Sequence, residues 1–595
     1  MISSGPATAA LERTLAAARR ALLAARTPAG HWEGELSPSA LSTATAIVAL
    51  ELVRRAGGRD RSDLVRAGLL WLADHQNADG GFGDTPESPS NISTTTLCWA
   101  ALSMGGQVDT FSRVEAWLKR EVGDLSAPTL ARAIEERYLE DRTFSVPILT
   151  MCALAGRFGE GPGAWAAIPR LPFELAALPS SWYSKLGLSV VSYALPALIA
   201  IGQAQLHHRP GWNPIPRMTR GRTLRILESI QPSSGGFLEA TPLTSFVTMS
   251  LASCGHAEHP ATRKAVAFLE AAARKDGSWA IDSDLATWVT TLSVQALGEP
   301  LPEAERRAVR DWILKQQFTS EHPYTHAAPG AWAWTDRSGG VPDADDTSGA
   351  LLALLLLRDA GDADARRAAE AGVTWLLDLQ NRDGGIPTFC RGWGKLPFDR
   401  SCPDLTAHAL RAWAGWRLEL PPPLRDRLEV AMRRAFAYLV SAQQADGSWV
   451  PLWFGNQRSP GLENPVYGTS RVLLASPLEP SPMEDRRVWA IAVFRAIAWL
   501  LSAQNPDGGF GGAAGIASTI EETALATEAL CLARAQDAKR VLPAIARAAG
   551  WLAERTAEGT RFEPAPIGLY FAKLWYWERL YPLIFTVAAL RRALS

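Results

Sequence analysis

Trp71-Leu72-Ala73-Asp74-His75-Gln76-Asn77-Ala78-Asp79-Gly80-Gly81-Phe82 carries three signals in one short stretch: the end of an apolar helix, a glutamine, and an Asp-Gly turn that closes on an aromatic ring. Glycine in the turn reaches backbone angles closed to other residues. The Gln amide can bond backbone groups left free at a helix end, and the aromatic can pack on a neighbouring turn. The unit recurs from Leu227 through Gln231 to Gly235-Gly236-Phe237, and at Lys275-Asp276-Gly277-Ser278-Trp279, where the Gln is lost. It returns from Trp375 through Gln380 to Asp383-Gly384-Gly385, then at Gln443 with Asp446-Gly447-Ser448-Trp449, and again at Gln504 with Asp507-Gly508-Gly509-Phe510. Weaker copies stand at Gly30-His31-Trp32 and at Trp312 to Gln317.

Between the copies run second helices of strong apolar content: Leu41 to Leu52, Thr94 to Leu102, Leu285 to Leu297 and Thr519 to Cys531. The alternation of strands is almost absent. Helix pairs repeated at this spacing predict an all-α fold of α-α barrels (toroids), an inner helix ring inside an outer one. The glycine turns lack the Gly-Lys-Ser/Thr of a phosphate loop and read as structural.

Composition narrows the function. The chain has 595 residues, enough for two or more domains with real cores. A net charge of -1 gives no electrostatic case for nucleic acid. The six cysteines are scattered without a C-x-x-C pair, so neither a zinc site nor a disulfide framework is indicated, which suits a reducing compartment. The N-terminal residues lack the apolar core of a signal peptide. The longest apolar run, Leu186 to Gly202, is interrupted by Pro196 and serines, and suits a buried helix or a patch dipping into one leaflet better than a span. The 23 tryptophans point to a packed repeat core and to a cavity lined with rings.

Asp343-Ala344-Asp345-Asp346-Thr347 holds three carboxylates in four residues, beside Trp332 and Trp334. Like charge and poor solvation raise the pKa of at least one, leaving a protonated acid at neutral pH. An acid facing aromatic rings can start carbocation chemistry. The plainer reading is a solvated acidic turn that caps the next helix. The order of the aspartates differs from the D-D-x-x-D pattern that holds diphosphate through magnesium.

The Gln-aromatic turns together with Asp343-Ala344-Asp345-Asp346-Thr347 resemble the squalene-hopene cyclase and oxidosqualene cyclase family of class II terpene cyclases, over nearly the whole chain. The resemblance implies two α-α barrels with the active cavity between them, here a catalytic barrel of residues 1–31 plus 285–595 and an inserted barrel of residues 32–284. It makes Asp345 the proton donor, flanked by Asp343 and Asp346. In Asp404-Leu405-Thr406-Ala407-His408 it makes His408 the partner that strengthens the donor, as a cationic imidazole that offsets the pull of the neighbouring carboxylates. Trp288, Trp334, Phe389, Trp453 and Phe571 match cavity aromatics, and Phe389-Cys390 matches a pair in the cavity wall. Ring faces guide a cation without quenching it. No cofactor and no metal is implied.

The departures from the family bear on the product. Trp575 and Glu578 stand where the family carries two cavity tyrosines, Ile567 replaces an aromatic, and Thr43 replaces an N-terminal Glu that organises water at termination. The segment Arg391 to Arg400 is basic where hopene cyclases tend to be acidic. Arg391, Lys395 and Arg400 could hold an anionic head group or lie solvated.

The partners implied are squalene or a similar polyprenoid and a membrane surface contacted monotopically, on the cytoplasmic side of the inner membrane. Leu186 to Leu198 is the candidate nonpolar patch, aided by Arg13, Arg19, Arg20 and Arg26. A homodimer is left open. The function expected is protonation-initiated cyclisation of squalene to hopene-type triterpenes. The alternatives are a cyclase of a prenyl diphosphate or other terpenoid, and a non-catalytic lipid-binding toroid. A zinc-dependent prenyltransferase subunit shares the toroid, but its Asp, Cys and His ligand cluster is not evident.

Overall fold

Each repeat glutamine ties one helix pair to the next. Gln380 Nε2 donates to Gly384 O of its own turn and to Ala431 O of the following outer helix, at 2.8 and 2.9 Å. Gln76, Gln231, Gln317, Gln443 and Gln504 make the same two bonds. The turn's next residue is locked inward, its backbone N–H donating to a threonine on the following inner helix. Phe82 uses Thr95, Trp332 uses Thr347, Ile386 uses Thr406 and Phe510 uses Thr523. The glycine is required where the turn meets the next outer helix: Gly384 has φ +93°, and a Cβ there would sit 2.3 Å from Arg434 O.

The structure, a computed structural model, describes residues 6–138, 142–179, 194–298, 301–323, 325–389, 399–480, 483–569, 571 and 573–595. Six buried helices, Ala286–Leu297, Ala344–Leu357, Pro403–Trp416, Pro465–Leu473, Ile520–Ala533 and Tyr581–Leu594, pack in succession and close a ring. Around them lie Glu303–Lys315, Ala363–Leu379, Pro422–Ala442, Met483–Ser502 and Ala538–Arg555, and the N-terminal helix Pro6–Ala24 completes the outer layer. Leu11, Leu22 and Trp32 accordingly share the core of this barrel.

Residues 40–279 build a second core. Its inner helices are Ala40–Arg55, Ile92–Leu102, Arg142–Leu154, Leu195–His208 and Thr241–Ser253. Strand Pro38–Ser39 pairs antiparallel with Trp279–Ala280 where the chain enters and leaves this unit. A three-stranded sheet, Phe454–Gly455, Ile567–Leu569 and Leu574–Tyr576, lies at the mouth of the first barrel. A smaller apolar cluster with Leu195, Leu227, Phe237 and Val341 bridges the two units. The fold is thus the all-α pair of toroids that the repeats predict.

Candidate active site

Between the barrels lies a cavity of about 360 Å³. The inserted barrel contributes Leu41, Leu97, Tyr138, Phe144 and Phe246, and the catalytic barrel contributes the acidic motif and most of the rings. Such a volume lies within the usual range for small-molecule sites.

Asp343 is the N-cap of helix Ala344–Leu357, its carboxylate accepting from Asp346 N at 2.8 Å. The turn is fixed from outside, with Asp343 N donating to Trp332 O and Ala344 N to Thr388 O. Asp343 and Asp346 are buried, and burial raises the pKa of both. Asp343 and Asp345 push Asp346 further up, well above the ordinary carboxylate value. Burial and clustering together favour the neutral form of Asp346.

Asp345 projects into the cavity. Its Oδ1 lies 2.5 Å from His408 Nδ1, and the two side chains are 18% and 11% exposed. His408 comes from helix Pro403–Trp416, held by Thr406, whose hydroxyl bonds Cys402 O and receives Ile386 N. The histidine departs from expectation in one respect. Burial lowers its pKa; Asp345 opposes this, but Arg411 and Arg471 add to it. Burial, with Arg411 and Arg471 adding to it, favours the neutral imidazole over the cationic one. An Nδ1–H can still donate to Asp345.

The rings form a continuous wall. Trp334 and Phe389 meet edge-to-face at 6.3 Å, Phe389 and Trp453 at 5.7 Å, and Trp453 and Phe571 at 6.1 Å. Trp288 approaches His408 edge-on at 6.2 Å, and its Nε1 donates to Tyr581 Oη at 2.9 Å. All five predicted cavity aromatics of this set line the cavity.

Trp575 does not. Successive side chains of a strand point to opposite faces. In strand Leu574–Tyr576, Leu574 and Tyr576 line the cavity, while Trp575 is buried behind it and its backbone N–H donates to Asp84 Oδ2. Among the described residues, the tyrosines that line the cavity are Tyr576 and Tyr581, with Tyr138 from the other barrel. Glu578 also faces away, accepting from the backbone N–H groups of Glu35 and Leu580. Thr43 is spent on the repeat, accepting from Trp279 N.

The alternation of Leu574, Trp575 and Tyr576 was the signal for Tyr576. Asp282, another carboxyl on the cavity wall, carries no motif. Cys390 and residues 391–398, with Arg391 and Lys395, lie outside the described residues, as do residues 186–193 of the apolar run. Of the rest of that run, Ala194 and Ala197 line the cavity. Among the described residues no helix is long and apolar enough to cross a membrane. No group of three or more His, Cys, Asp and Glu side chains among them is placed to hold a metal ion.

Two α-α barrels around a ring-lined cavity, with an acidic turn and a histidine at one wall, define the architecture of a class II terpene cyclase. The family profiles agree: the squalene-hopene cyclase C-terminal domain matches residues 285–595 and the N-terminal domain matches residues 15–117. The chain belongs to the squalene-hopene cyclase family of class II terpene cyclases.

Among relatives, a terpene cyclase-glycosyl transferase fusion protein of Humicola fuscoatra is 27% identical over 95% of this chain, which spans only 48% of that protein's length. The squalene–hopene cyclase of Alicyclobacillus acidocaldarius is 25% identical over 78% of each chain. The drimenyl diphosphate synthase of Streptomyces showdoensis is 34% identical over 36% of this chain and 34% of its own. The solved ent-copalyl diphosphate synthase of Streptomyces platensis shares the fold, with a TM-score of 0.58, 19% identity and 99% of both chains covered.

Proposed function

We propose that the protein cyclises squalene to a hopene-type triterpene by protonation at Asp345. The observation that supports this most is Asp345 held against His408 at the wall of an apolar, ring-lined cavity. Asp345 carries the proton on the oxygen turned from His408. The His408 Nδ1–H bonds Oδ1, stabilising the carboxylate that remains when the proton leaves and so strengthening the acid. The proton adds to the terminal double bond, and the remaining double bonds attack the cation in turn. Trp334, Phe389, Trp453 and Phe571 present their faces along the path. Apolar walls exclude water and protect the cation from early capture.

The part match to a drimenyl diphosphate synthase supports a second reading, in which the polyene carries a diphosphate. The test is gas chromatography with mass spectrometry of squalene, and separately of farnesyl and geranylgeranyl diphosphates, incubated with detergent-solubilised protein beside Asp345→Asn. Pentacyclic products absent from the variant establish the first reading. Conversion of a diphosphate alone establishes the second.

An almost insoluble hydrocarbon must enter from lipid, and the surface offers a place. Trp212, Ile215 and Met218 are exposed at the start of helix Ile215–Ser229, beside exposed Arg217, Arg222 and Arg225. Rings and apolar tips flanked by arginines suit a headgroup boundary. Arg13 and Arg26 are engaged instead in ion pairs with Glu558 and Glu305. Flotation with vesicles of phosphatidylcholine and phosphatidylglycerol checks this: Trp212→Ala lowers the bound fraction, and equal binding rules this surface out.

A further inference from the structure

Asp282 sits on the cavity wall in the crossing from strand Trp279–Ala280 to helix Ala286–Leu297. Its backbone is pinned to Ala240, and its Oδ1 accepts from Ser283 N at 2.7 Å. The Trp334 ring shares the wall with it. Two more carboxyls stand close by, and each is committed elsewhere. Asp284 accepts from Thr335 Oγ1 and from Arg337 Nε, at 2.6 and 2.9 Å. Glu239 is buried and accepts from Ser234 Oγ, Gly339 N and Ser283 Oγ, at 2.6, 2.8 and 3.1 Å. Of the three, Asp282 alone faces the cavity.

We propose that Asp282 is the base that ends the reaction. This rests on the cyclase reading above and adds how the cation is discharged. A C–H bond next to the last cation breaks, its electron pair becomes the new double bond, and the proton goes to an Asp282 carboxylate oxygen. Burial raises the pKa of both Asp282 and Glu239, and the nearby Glu239 adds to the rise at Asp282. A cation in the cavity draws the negative charge to Asp282, the nearer of the two. The proton then passes toward Glu239 and Ser283, which is exposed at the surface. Arg337, the cation of this cluster, is held by Asp284 and Glu33 and leaves the pair its charge. The product is an alkene rather than an alcohol.

Two measurements test this, each beside a thermal melt that reports folding. The first is the product ratio of Asp282→Asn and Asp282→Ala: the main wild-type alkene should fall at least tenfold relative to other isomers and alcohols. An unchanged ratio in both variants overturns the proposal. Failure of the wild type to convert squalene or a prenyl diphosphate would instead count against the cyclase reading.

The second needs no substrate. Dimethyldodecylamine, cationic at neutral pH, mimics a bound carbocation, and its binding is read by tryptophan fluorescence. Asp282→Asn should weaken binding about tenfold, as an ion pair in a poorly solvated site requires. Equal affinity in wild type and Asp282→Asn, with loss only in Asp345→Asn, overturns the proposal.

Discussion

His408 Nδ1 and Asp345 Oδ1 stand 2.5 Å apart, although the two residues come from different inner helices. Neither helix needs the contact to fold, since each is fixed by its own repeat threonine, Thr347 and Thr406. The pairing is explained by chemistry. An alkene is a weak base, so the acid that protonates it gains from any group that stabilises its conjugate carboxylate. A neutral imidazole does this as a hydrogen-bond donor, and burial, aided by Arg411 and Arg471, favours that form.

Removing the histidine should show this directly. His408→Ala is expected to reduce turnover by about 10²- to 10⁴-fold, the usual contribution of a positioned acid–base group. A thermal melt should show a folded protein. Turnover within threefold of wild type would mean that Asp345 acts without its partner.

Strand alternation makes an opposed pair of predictions on adjacent residues. Tyr576→Leu should change the product distribution, because Tyr576 lines the cavity. Trp575→Phe should leave the distribution as it is, because Trp575 is packed behind the wall. Product analysis of the two variants side by side decides whether the cavity face has been placed correctly.

The repeat glutamine gives a stability prediction. Gln380→Ala removes the donor shared by Gly384 O and Ala431 O in a buried turn. Losing the two bonds in a buried turn costs about 1–3 kcal/mol. Denaturant unfolding should show the loss, with a larger effect than substitution of half-buried Gln107, which sits outside the repeat.

Glu578 sets a pH dependence. Burial raises its pKa from 4.5 to about 7, against the backbone N–H groups that it accepts from. Between these values the folded chain holds a proton that the unfolded chain has released. Stability from this group is therefore full below about 4.5 and is lost as pH rises through about 7. The loss is about 3 kcal/mol at most. Glu578→Gln should flatten that part of the profile, measured as thermal midpoints from pH 4.5 to 8. A parallel profile in the variant would remove Glu578 as its source.

Much of the fold was legible because the repeat states its own physics: a glutamine that spans two helices, a glycine at positive φ and an inward aromatic. The Asp345 and His408 pairing was legible only through family likeness, since 63 residues separate them. Three features were not. The charge on His408 depends first on its burial and then on Arg411 and Arg471, which come together only in the folded barrel. The facing of Trp575 follows from a three-residue strand too short to announce itself among helices. Asp282 lies in a connecting strap, where one carboxylate among many carries no pattern until the cavity forms beside it.

Incubation in D₂O tests the central claim most directly. Squalene, or a prenyl diphosphate if that is what the protein converts, is supplied to wild type and Asp345→Asn, and the product is read by mass spectrometry and deuterium NMR. The prediction is one solvent deuterium per product, on the ring methylene next to the gem-dimethyl carbon, where the first proton adds, with no product from Asp345→Asn. Product without solvent deuterium there, or wild-type yield from the variant, would contradict protonation by Asp345.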